Sequence, residues 1–187
     1  QITGQMARYY NLPLRSSNAC AANAPDGQAM WESLNSLWAS ATSGTNLVYH
    51  SAGWLEGGLI ASYEKFVMDC EVLQQFKRYF EPTLCDFSED ALAFDAVSEV
   101  GPTGHFFGCQ HTQERYTDAF YSPFLSDWRN FEAWNEAGGE WTHQRANKIW
   151  KKILEEFEPP PIEQSIKEEL DEFVERRIKE GGAPTDF

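Results

Sequence analysis

The stretch Thr45-Asn-Leu-Val-Tyr-His-Ser-Ala-Gly-Trp-Leu-Glu-Gly-Gly58 decides the fold class. Its first part, Thr45 to His50, is a short β-favouring run, and its second part, Ala52 to Gly58, is rich in glycine. This pattern is typical of a strand that ends in a loop. Before it, apolar residues between Gly27 and Ser43 recur at intervals of three and four, which indicates a helix. The strand therefore follows a helix.

The same alternation extends to both sides of this stretch. Upstream, Leu12 to Ser17 is typical of a short strand, and Asp26 is suited to cap the helix that comes next. Downstream, Ser62 can cap a helix that Pro82 ends. The apolar faces that we expect these helices to bury are Met30, Leu34, Leu37, Trp38 and Ala41 in the first, and Phe66, Cys70, Leu73 and Phe80 in the second.

Strands that alternate with helices indicate βαβ units on a parallel sheet. Such units build both closed barrels and open doubly wound sheets, and a (β/α)8 barrel requires eight strands. The two or three strands visible in this sequence cannot close a barrel. The pattern by itself therefore predicts an α/β fold that is incomplete.

The second half of the chain is mostly helical in pattern. Residues Ser88 to Val100 predict a helix, and Gly104 to Cys109 a last short strand. From Thr112 onward we expect helices only, among them Thr142 to Phe157 and Ile162 to Glu180. The last of these carries an apolar residue at every fourth position, so we expect it to pack by one stripe, as a terminal clasp or as a contact between copies of the chain.

Composition excludes several classes of partner. The formal net charge of −14 argues against a nucleic acid or an anionic membrane surface, because both attract clustered Lys and Arg. There is no run of about 18 apolar residues that could span a bilayer. The four cysteines form no Cys-x-x-Cys pair and are most simply reduced thiols, so we expect a cytoplasmic protein.

The glycine-rich segment is the first candidate site. In a barrel it would lie at the C-terminal face, where ligands bind. Among its glycines stand His50 and Glu56, which can carry charge, and the aromatic residues Tyr49 and Trp54. The same glycines also occur in plain turns, and a single histidine is more often a hydrogen-bonded core residue than a ligand-binding one.

A second candidate site is the segment Gly101 to His111. His105, Cys109 and His111 are close enough in sequence to suggest a metal site, but no further ligand accompanies them, so we predict no bound metal and expect a loop that lines a pocket. Sequence patterns for a nucleophile elbow, a phosphate-binding loop and a dinucleotide fingerprint are absent. Hydrolase and nucleotide-dependent functions are therefore disfavoured.

Aromatic residues near these two segments could enclose a quaternary ammonium group. Such a cation offers no hydrogen-bond donor and binds by cation–π attraction. Each aromatic residue taken singly is more often part of a core. The candidates are Tyr49, Trp54, Phe106, Phe107, Tyr116 and Tyr121.

Four stretches and the C-terminal part of the chain resemble the trimethylamine methyltransferase family in order and spacing. The C-terminal likeness lies in Glu158-Pro-Pro-Pro161 and the acidic helix after it. The four stretches are Ala52-Gly-Trp-Leu-Glu-Gly-Gly58, Tyr63-Glu-Lys-Phe-Val67, Glu99-Val-Gly-Pro102 with Gly104-His-Phe106, and Leu125-Ser-Asp-Trp-Arg-Asn-Phe131.

The resemblance implies a (β/α)8 barrel that moves a methyl group from an amine to the Co(I) corrinoid of a separate carrier protein. That carrier would dock over the mouth of the barrel. Family members are considerably longer than this chain, so residues 1–125 would be the last strands and helices of the barrel and residues 126–187 a helical extension. We therefore expect the remainder of the barrel to accompany this chain, because late strands alone would leave an unpaired edge.

Family members that act on trimethylamine contain pyrrolysine, and this sequence contains none. We therefore predict a quaternary amine of the betaine or carnitine type as substrate. The resemblance and the chemistry make Glu56 and His50 the catalytic candidates, Glu56 balancing the cation and His50, or alternatively His105, binding a carboxylate. The remaining predicted substrate-binding residues are Tyr49, Trp54, Phe106, Phe107 and His111.

Two alternatives stay open. Trimethylamine or a sulfonium donor could undergo the same chemistry, since a sulfonium is equally cationic. The chain could also be a remnant that binds a ligand or docks a carrier without catalysis.

Overall fold

The computed structural model describes residues 1–82 and 89–181. Contacts between residues divide the chain into two compact units, Gln1–Lys152 and Ile153–Phe187. The first unit combines helices with two small sheets, and the described part of the second is helical. The chain is therefore a helix-rich protein of mixed α/β type.

The first unit begins with helix α1 (Ile2–Tyr9) and then forms a βαβ unit. Strand β1 (Arg15–Ser17), helix α2 (Gly27–Thr42) and strand β2 (Leu47–Tyr49) follow one another, and the two strands pair in parallel, with Ser17 opposite Tyr49. The predicted order of strand, helix and parallel strand is confirmed.

The face that helix α2 buries agrees only in part with the one that its apolar pattern predicts, since Leu37 is buried as predicted. Its start is as expected, since the Asp26 carboxylate accepts hydrogen bonds from the amides of Gln28 and Ala29. Leu34 and Trp38, however, are exposed. Small side chains let the helix lie close to the strands, and Ser40 Oγ is 2.8 Å from Ser16 Oγ. The buried residues of α2 are Ala29, Ser33, Leu37 and Ser40.

The glycine-rich segment contains a hairpin that the sequence pattern does not predict. Strand β3 (Trp54–Leu55) pairs antiparallel with strand β4 (Ile60–Ala61), and a short 3-10 turn, Glu56–Gly58, joins them. Gly57 turns the chain with a φ of 65°, a left-handed conformation that glycine adopts without steric cost. The segment is therefore a structured hairpin between β2 and the next helix.

Helix α3 (Tyr63–Phe80) begins where predicted, because Ser62 Oγ accepts a hydrogen bond from the Lys65 amide. Its predicted apolar face is wrong in part, since Phe66 and Phe80 are exposed. Phe80 belongs instead to an aromatic surface cluster with Trp38. The residues of α3 that are buried are Lys65, Val67, Met68, Asp69, Glu71 and Val72.

The chain after α3 is more broken than its pattern predicts. Ser88 lies outside the described residues, and the helix expected up to Val100 is two helices that Ala93 separates with a φ of 54°. The strand expected at Gly104 to Cys109 is wrong, because this segment holds a 3-10 turn, Phe106–Gly108. The helices among the described residues of this region are α4 (Glu89–Leu92), α5 (Phe94–Val100), α6 (Gln110–Gln113), α7 (Phe131–Glu136) and α8 (Thr142–Glu155).

Residues between α6 and α7 form turns and irregular chain, so the expectation of helices only from Thr112 onward is also wrong. A side chain of α3 holds this segment in place. The Glu71 carboxylate accepts hydrogen bonds from the amides of Phe124 (3.1 Å) and Leu125 (2.9 Å). Leu125 then packs with Met68 and with Ala146 of α8, and these residues belong to one of two hydrophobic core clusters among the described residues of the first unit.

In the second unit, helix α9 (Gln164–Lys179) follows the Pro159–Pro161 break as predicted. Its apolar residues are exposed within the chain; Ile166, for example, is 48% exposed. Arg177 forms an ion pair with Glu180 at its C-terminal end. Among residues 1–82 and 89–181, no helix is long and apolar enough to cross a membrane.

Candidate functional site

The carboxyl ends of the two parallel strands meet at the glycine-rich segment. Asn18 directly follows β1, and His50 directly follows β2. The Asn18 side chain is fully buried and donates a hydrogen bond from Nδ2 to the carbonyl oxygen of Ser51, 3.0 Å away. Ligands of parallel α/β folds bind beyond the carboxyl ends of the strands. This end of the sheet is therefore the candidate site.

Three predicted site residues form one aromatic group at this end. The imidazole ring of His50 stacks on the Trp54 indole, with centroids 3.7 Å apart and planes 21° from parallel. The ring of Tyr49 meets His50 edge-on, at 3.9 Å. His50 itself has a φ of 54°, so the backbone turns sharply where the strand ends. The structure thus brings Tyr49, His50 and Trp54 together.

The ring of Tyr49 also makes a cation–π contact with Arg15 of the neighbouring strand. The Arg15 guanidinium lies 5.3 Å from the centre of the Tyr49 ring, which is cation–π distance. Since Ser16 contacts α2, the alternation of side chains directs Arg15 and Tyr49 to the opposite side of the strand pair. That side is open, and Tyr49 is 51% exposed.

Backbone hydrogen bonds fix the hairpin that carries Glu56. The Glu56 amide donates to the Ala22 carbonyl at 3.0 Å, and the Gly57 amide to the Cys20 carbonyl at 2.8 Å. Within the described chain, no hydrogen bond or ion pair engages the Glu56 carboxylate, which is only partly buried. The carboxylate is therefore available to a ligand.

A buried ion pair supports this segment from α3. The Lys65 ammonium is 2.5 Å from Asp69 Oδ1 and 2.6 Å from Ser33 Oγ of α2. Asp69 Oδ2 accepts a hydrogen bond from the Gly53 amide at 2.9 Å. Burial raises the pKa of Asp69 above its ordinary value, whereas the hydrogen bonds from Lys65 and Gly53 act in the opposite direction.

Two buried polar atoms near the strand ends, Asn18 Oδ1 and His50 Nδ1, have no hydrogen-bond partner among residues 1–82 and 89–181. Both are closed off from solvent by the chain itself. Of the two ring nitrogens of His50, Nδ1 is therefore not open to a ligand that approaches from solvent. Such unpartnered atoms are rare in folded proteins, and a role in binding or catalysis is one of the reasons for which they are kept.

The other predicted site residues form a second group. The rings of His105 and Phe107 are 5.6 Å apart, and Phe106 and Phe107 are exposed. His111 lines a separate cavity of about 290 Å³ together with Glu114. Among the described residues, no hydrogen bond or ring contact joins this group to His50. The same residues contain no cluster of side chains that could hold a metal ion.

Sequence reasoning missed Asn18, Lys65 and Asp69. Asn18 could have been found by the rule that singled out His50, since each residue follows a strand. Lys65 and Asp69 are four residues apart and flank the buried residues Val67 and Met68. Opposite charges at this spacing on a buried helix face are the signal that was available.

Comparison with known proteins supports the family. The family model for trimethylamine methyltransferase matches residues 1–182, and the chain belongs to this family. It is 38% identical over 96% of its length to a glycine betaine methyltransferase of Desulfitobacterium hafniense. It is 31% identical over 95% of its length to a trimethylamine methyltransferase of the same species. A trimethylamine methyltransferase of Methanosarcina mazei is 29% identical over 95% of the chain.

The chain spans 37%, 35% and 36% of these three relatives, respectively. It therefore corresponds to about a third of the length of the relatives it matches.

Proposed function

We propose that the full-length protein transfers a methyl group from a quaternary amine of the betaine type to the Co(I) corrinoid of a carrier protein. The aromatic group of Tyr49, His50 and Trp54 at the strand ends is the observation that carries this proposal. It is supported by the similarity to the glycine betaine methyltransferase, which exceeds the similarity to the two trimethylamine methyltransferases described above.

In this proposal the βαβ unit of β1, α2 and β2 is part of a (β/α)8 barrel. The open side of the strand pair would then face the barrel interior. Leu47 on this side is 56% exposed in this chain. Strands of parallel sheets are normally buried on both faces, so an exposed leucine here indicates that another part of the protein covers it. Remaining strands from the rest of the polypeptide would cover this side and both edges of the pair.

The substrate follows from the charges at the site. A quaternary ammonium binds to aromatic faces and to a carboxylate, and Trp54 and Glu56 are two residues apart on the hairpin. Tyr49 already accepts the Arg15 cation on its ring. The substrate's own carboxylate would bind His50 Nε2, with Arg15 adding positive potential. His105, Phe106, Phe107 and His111 would contribute only if the second group approaches the site in the full-length protein.

The proposed reaction needs no proton from a side chain. The carrier's corrinoid would supply the electron pair that forms the new bond to the methyl carbon, while the bond between that carbon and nitrogen breaks. The electron pair of the broken bond stays on nitrogen, so the amine leaves as a neutral tertiary amine. Positioning of the methyl group is then the main contribution of the protein to the rate. In this scheme the catalytic role of Glu56 and His50 is to hold the two charged ends of the substrate.

The cobalt belongs to the carrier in this proposal. The side chains at the strand ends fit that assignment, because they offer rings and one carboxylate to a small cation but no cluster of metal ligands among the described residues. A reducing cytoplasm suits both Co(I) and the free thiols Cys20, Cys70 and Cys109. The carrier would dock on the face where the substrate's methyl group is presented.

The test uses the full-length protein, its corrinoid carrier and a reductant. Corrinoid absorbance is followed after addition of glycine betaine, carnitine, choline, trimethylamine or a sulfonium compound. We expect a spectral change with glycine betaine, with one dimethylglycine formed per cobalt, and less change with choline, which lacks the carboxylate. Absence of transfer from every quaternary amine would refute the proposal. Calorimetric binding of glycine betaine without transfer would support a non-catalytic protein instead.

A further inference from the structure

Gly53 lies between His50 and Trp54 in sequence, and α3 holds it at both its backbone groups. Its amide donates to Asp69 Oδ2 at 2.9 Å, and its carbonyl accepts from the Ser62 amide, also at 2.9 Å. Gly53 has a φ of 89°, and a side chain there would meet Phe66 of the same helix. The middle of the segment that carries the ring pair is thus fixed to one helix.

We propose that Asp69, held in place by Lys65, is a positioning residue that sets the geometry of the His50–Trp54 ring pair through the Gly53 amide. The proposal rests on the proposed function where it concerns substrate. Asp69 acts through the backbone and touches neither ring among the contacts above.

The energetics of the ion pair support this role. Lys65 and Asp69 are both 0% exposed, and removing two charges from water costs several kcal/mol for each ion. Apolar residues of similar size at such positions are often neutral or stabilising by comparison. Stability alone therefore does not explain the pair. What an apolar pair could not supply is an acceptor for the Gly53 amide.

The two carboxylate oxygens of Asp69 make different sets of contacts. Oδ1 lies 2.5 Å from the Lys65 ammonium, and Oδ2 accepts from both the ammonium, at 2.6 Å, and the Gly53 amide. Ser33 of α2 binds the same ammonium, so the carboxylate is linked to α2 through Lys65 as well as directly to the loop. A carboxylate bound in this way has little freedom to rotate, which makes it a fixed anchor for Gly53.

Two matched double variants of the full-length protein distinguish the effect of losing the acceptor for the Gly53 amide from the effect of losing the two charges. Lys65→Met with Asp69→Asn removes both charges but keeps an oxygen for the Gly53 amide. Lys65→Met with Asp69→Leu removes both charges and the acceptor at nearly the same volume. Neither variant leaves a buried ion unpaired, so both are expected to fold; cooperative thermal unfolding and a far-UV circular dichroism spectrum like that of the wild type check this.

Two measurements are then compared between the variants. Hydrogen exchange by mass spectrometry follows the peptide that contains Gly53, and calorimetry gives the Kd for glycine betaine. In the Leu variant the buried Gly53 amide has no hydrogen-bond acceptor. We therefore expect its hydrogen-exchange rate and the Kd for glycine betaine both to be roughly 10-fold higher in the Leu variant than in the Asn variant. The Asn variant is expected to remain close to wild type in both, which a merely structural role of the ion pair would not produce.

Equal exchange in the two variants would overturn the proposal, as would faster exchange in the Leu variant without a change in Kd. If the wild type does not bind glycine betaine at all, the proposed function fails while the exchange comparison still decides whether Asp69 anchors Gly53. The two failures are therefore distinguishable.

Discussion

The imidazole of His50 lies stacked on the indole of Trp54, with ring centroids 3.7 Å apart. One face of the indole is therefore covered, and a ligand can approach only the other face or the ring edge. The stack also ties the orientation of the His50 ring to the position of Trp54. Changes at either residue should alter both ends of the proposed substrate site.

Replacement of Trp54 tests the cation–π contribution directly. We expect Trp54→Leu to weaken glycine betaine binding by roughly 10-fold, since a desolvated cation–π contact contributes about 1–2 kcal/mol. Trp54→Phe keeps an aromatic face and should lose less. Calorimetry on the full-length variants gives both values. Binding by the Leu variant as tight as that of the wild type would exclude Trp54 from the site.

Gly58 offers a test that leaves every aromatic residue in place. A Cβ at Gly58 would lie 2.9 Å from the Trp54 ring, whereas a Cβ at Gly57 meets nothing within 4 Å. Both glycines have a positive φ, so both alanine variants strain the backbone. We expect Gly58→Ala to change near-UV circular dichroism and to weaken glycine betaine binding several-fold. Similar effects in the control variant Gly57→Ala would assign the loss to backbone strain instead.

Glu64 should make stability depend on pH. Hydrogen bonds from Asn147 and Trp150 of α8 lower the pKa of Glu64 to about 2, from an ordinary value of 4.5. Because the pKa is lower in the folded state, the stabilisation is present above pH 4.5 and is lost as pH falls towards 2. Between pH 7 and pH 4 the loss should be on the order of 1 kcal/mol.

The measurement compares apparent melting temperatures of the wild type and of Glu64→Gln at both pH values. We expect the wild type to be more stable at pH 7 and its advantage to shrink at pH 4. Titration of the other carboxylates is common to both proteins and cancels in the comparison. An advantage that stays constant over this range would show that Glu64 keeps an ordinary pKa.

Glu71 should determine the stability of the chain around Leu125. Its carboxylate accepts from the amides of Phe124 and Leu125, and Glu71→Leu leaves both amides without this partner. We expect this variant to lose roughly 2 kcal/mol and to be cleaved faster near Leu125 in limited proteolysis. Glu71→Gln retains an acceptor oxygen and should lose less. Equal cleavage rates in the two variants would contradict this role.

Local sequence signals predicted the elements that depend on local interactions. The caps at Asp26 and Ser62 and the grouping of Tyr49, His50 and Trp54 follow from neighbours in the chain, and the parallel order of β1, α2 and β2 follows from the alternation of strands and helices. A helix cap joins residues two or three positions apart, and a strand followed by glycines needs no distant partner. These features are therefore determined by the sequence itself.

Only the tertiary structure decided which side chains are buried and what holds the site. The Gly53–Asp69 hydrogen bond spans 16 residues and the Leu125–Glu71 bond 54, so no local pattern contains them. Helix α2 buries serines in place of Leu34 and Trp38 because close contact with the strands favours small side chains there. Burial and long-range hydrogen bonds depend on which elements meet, and that is settled when the chain packs.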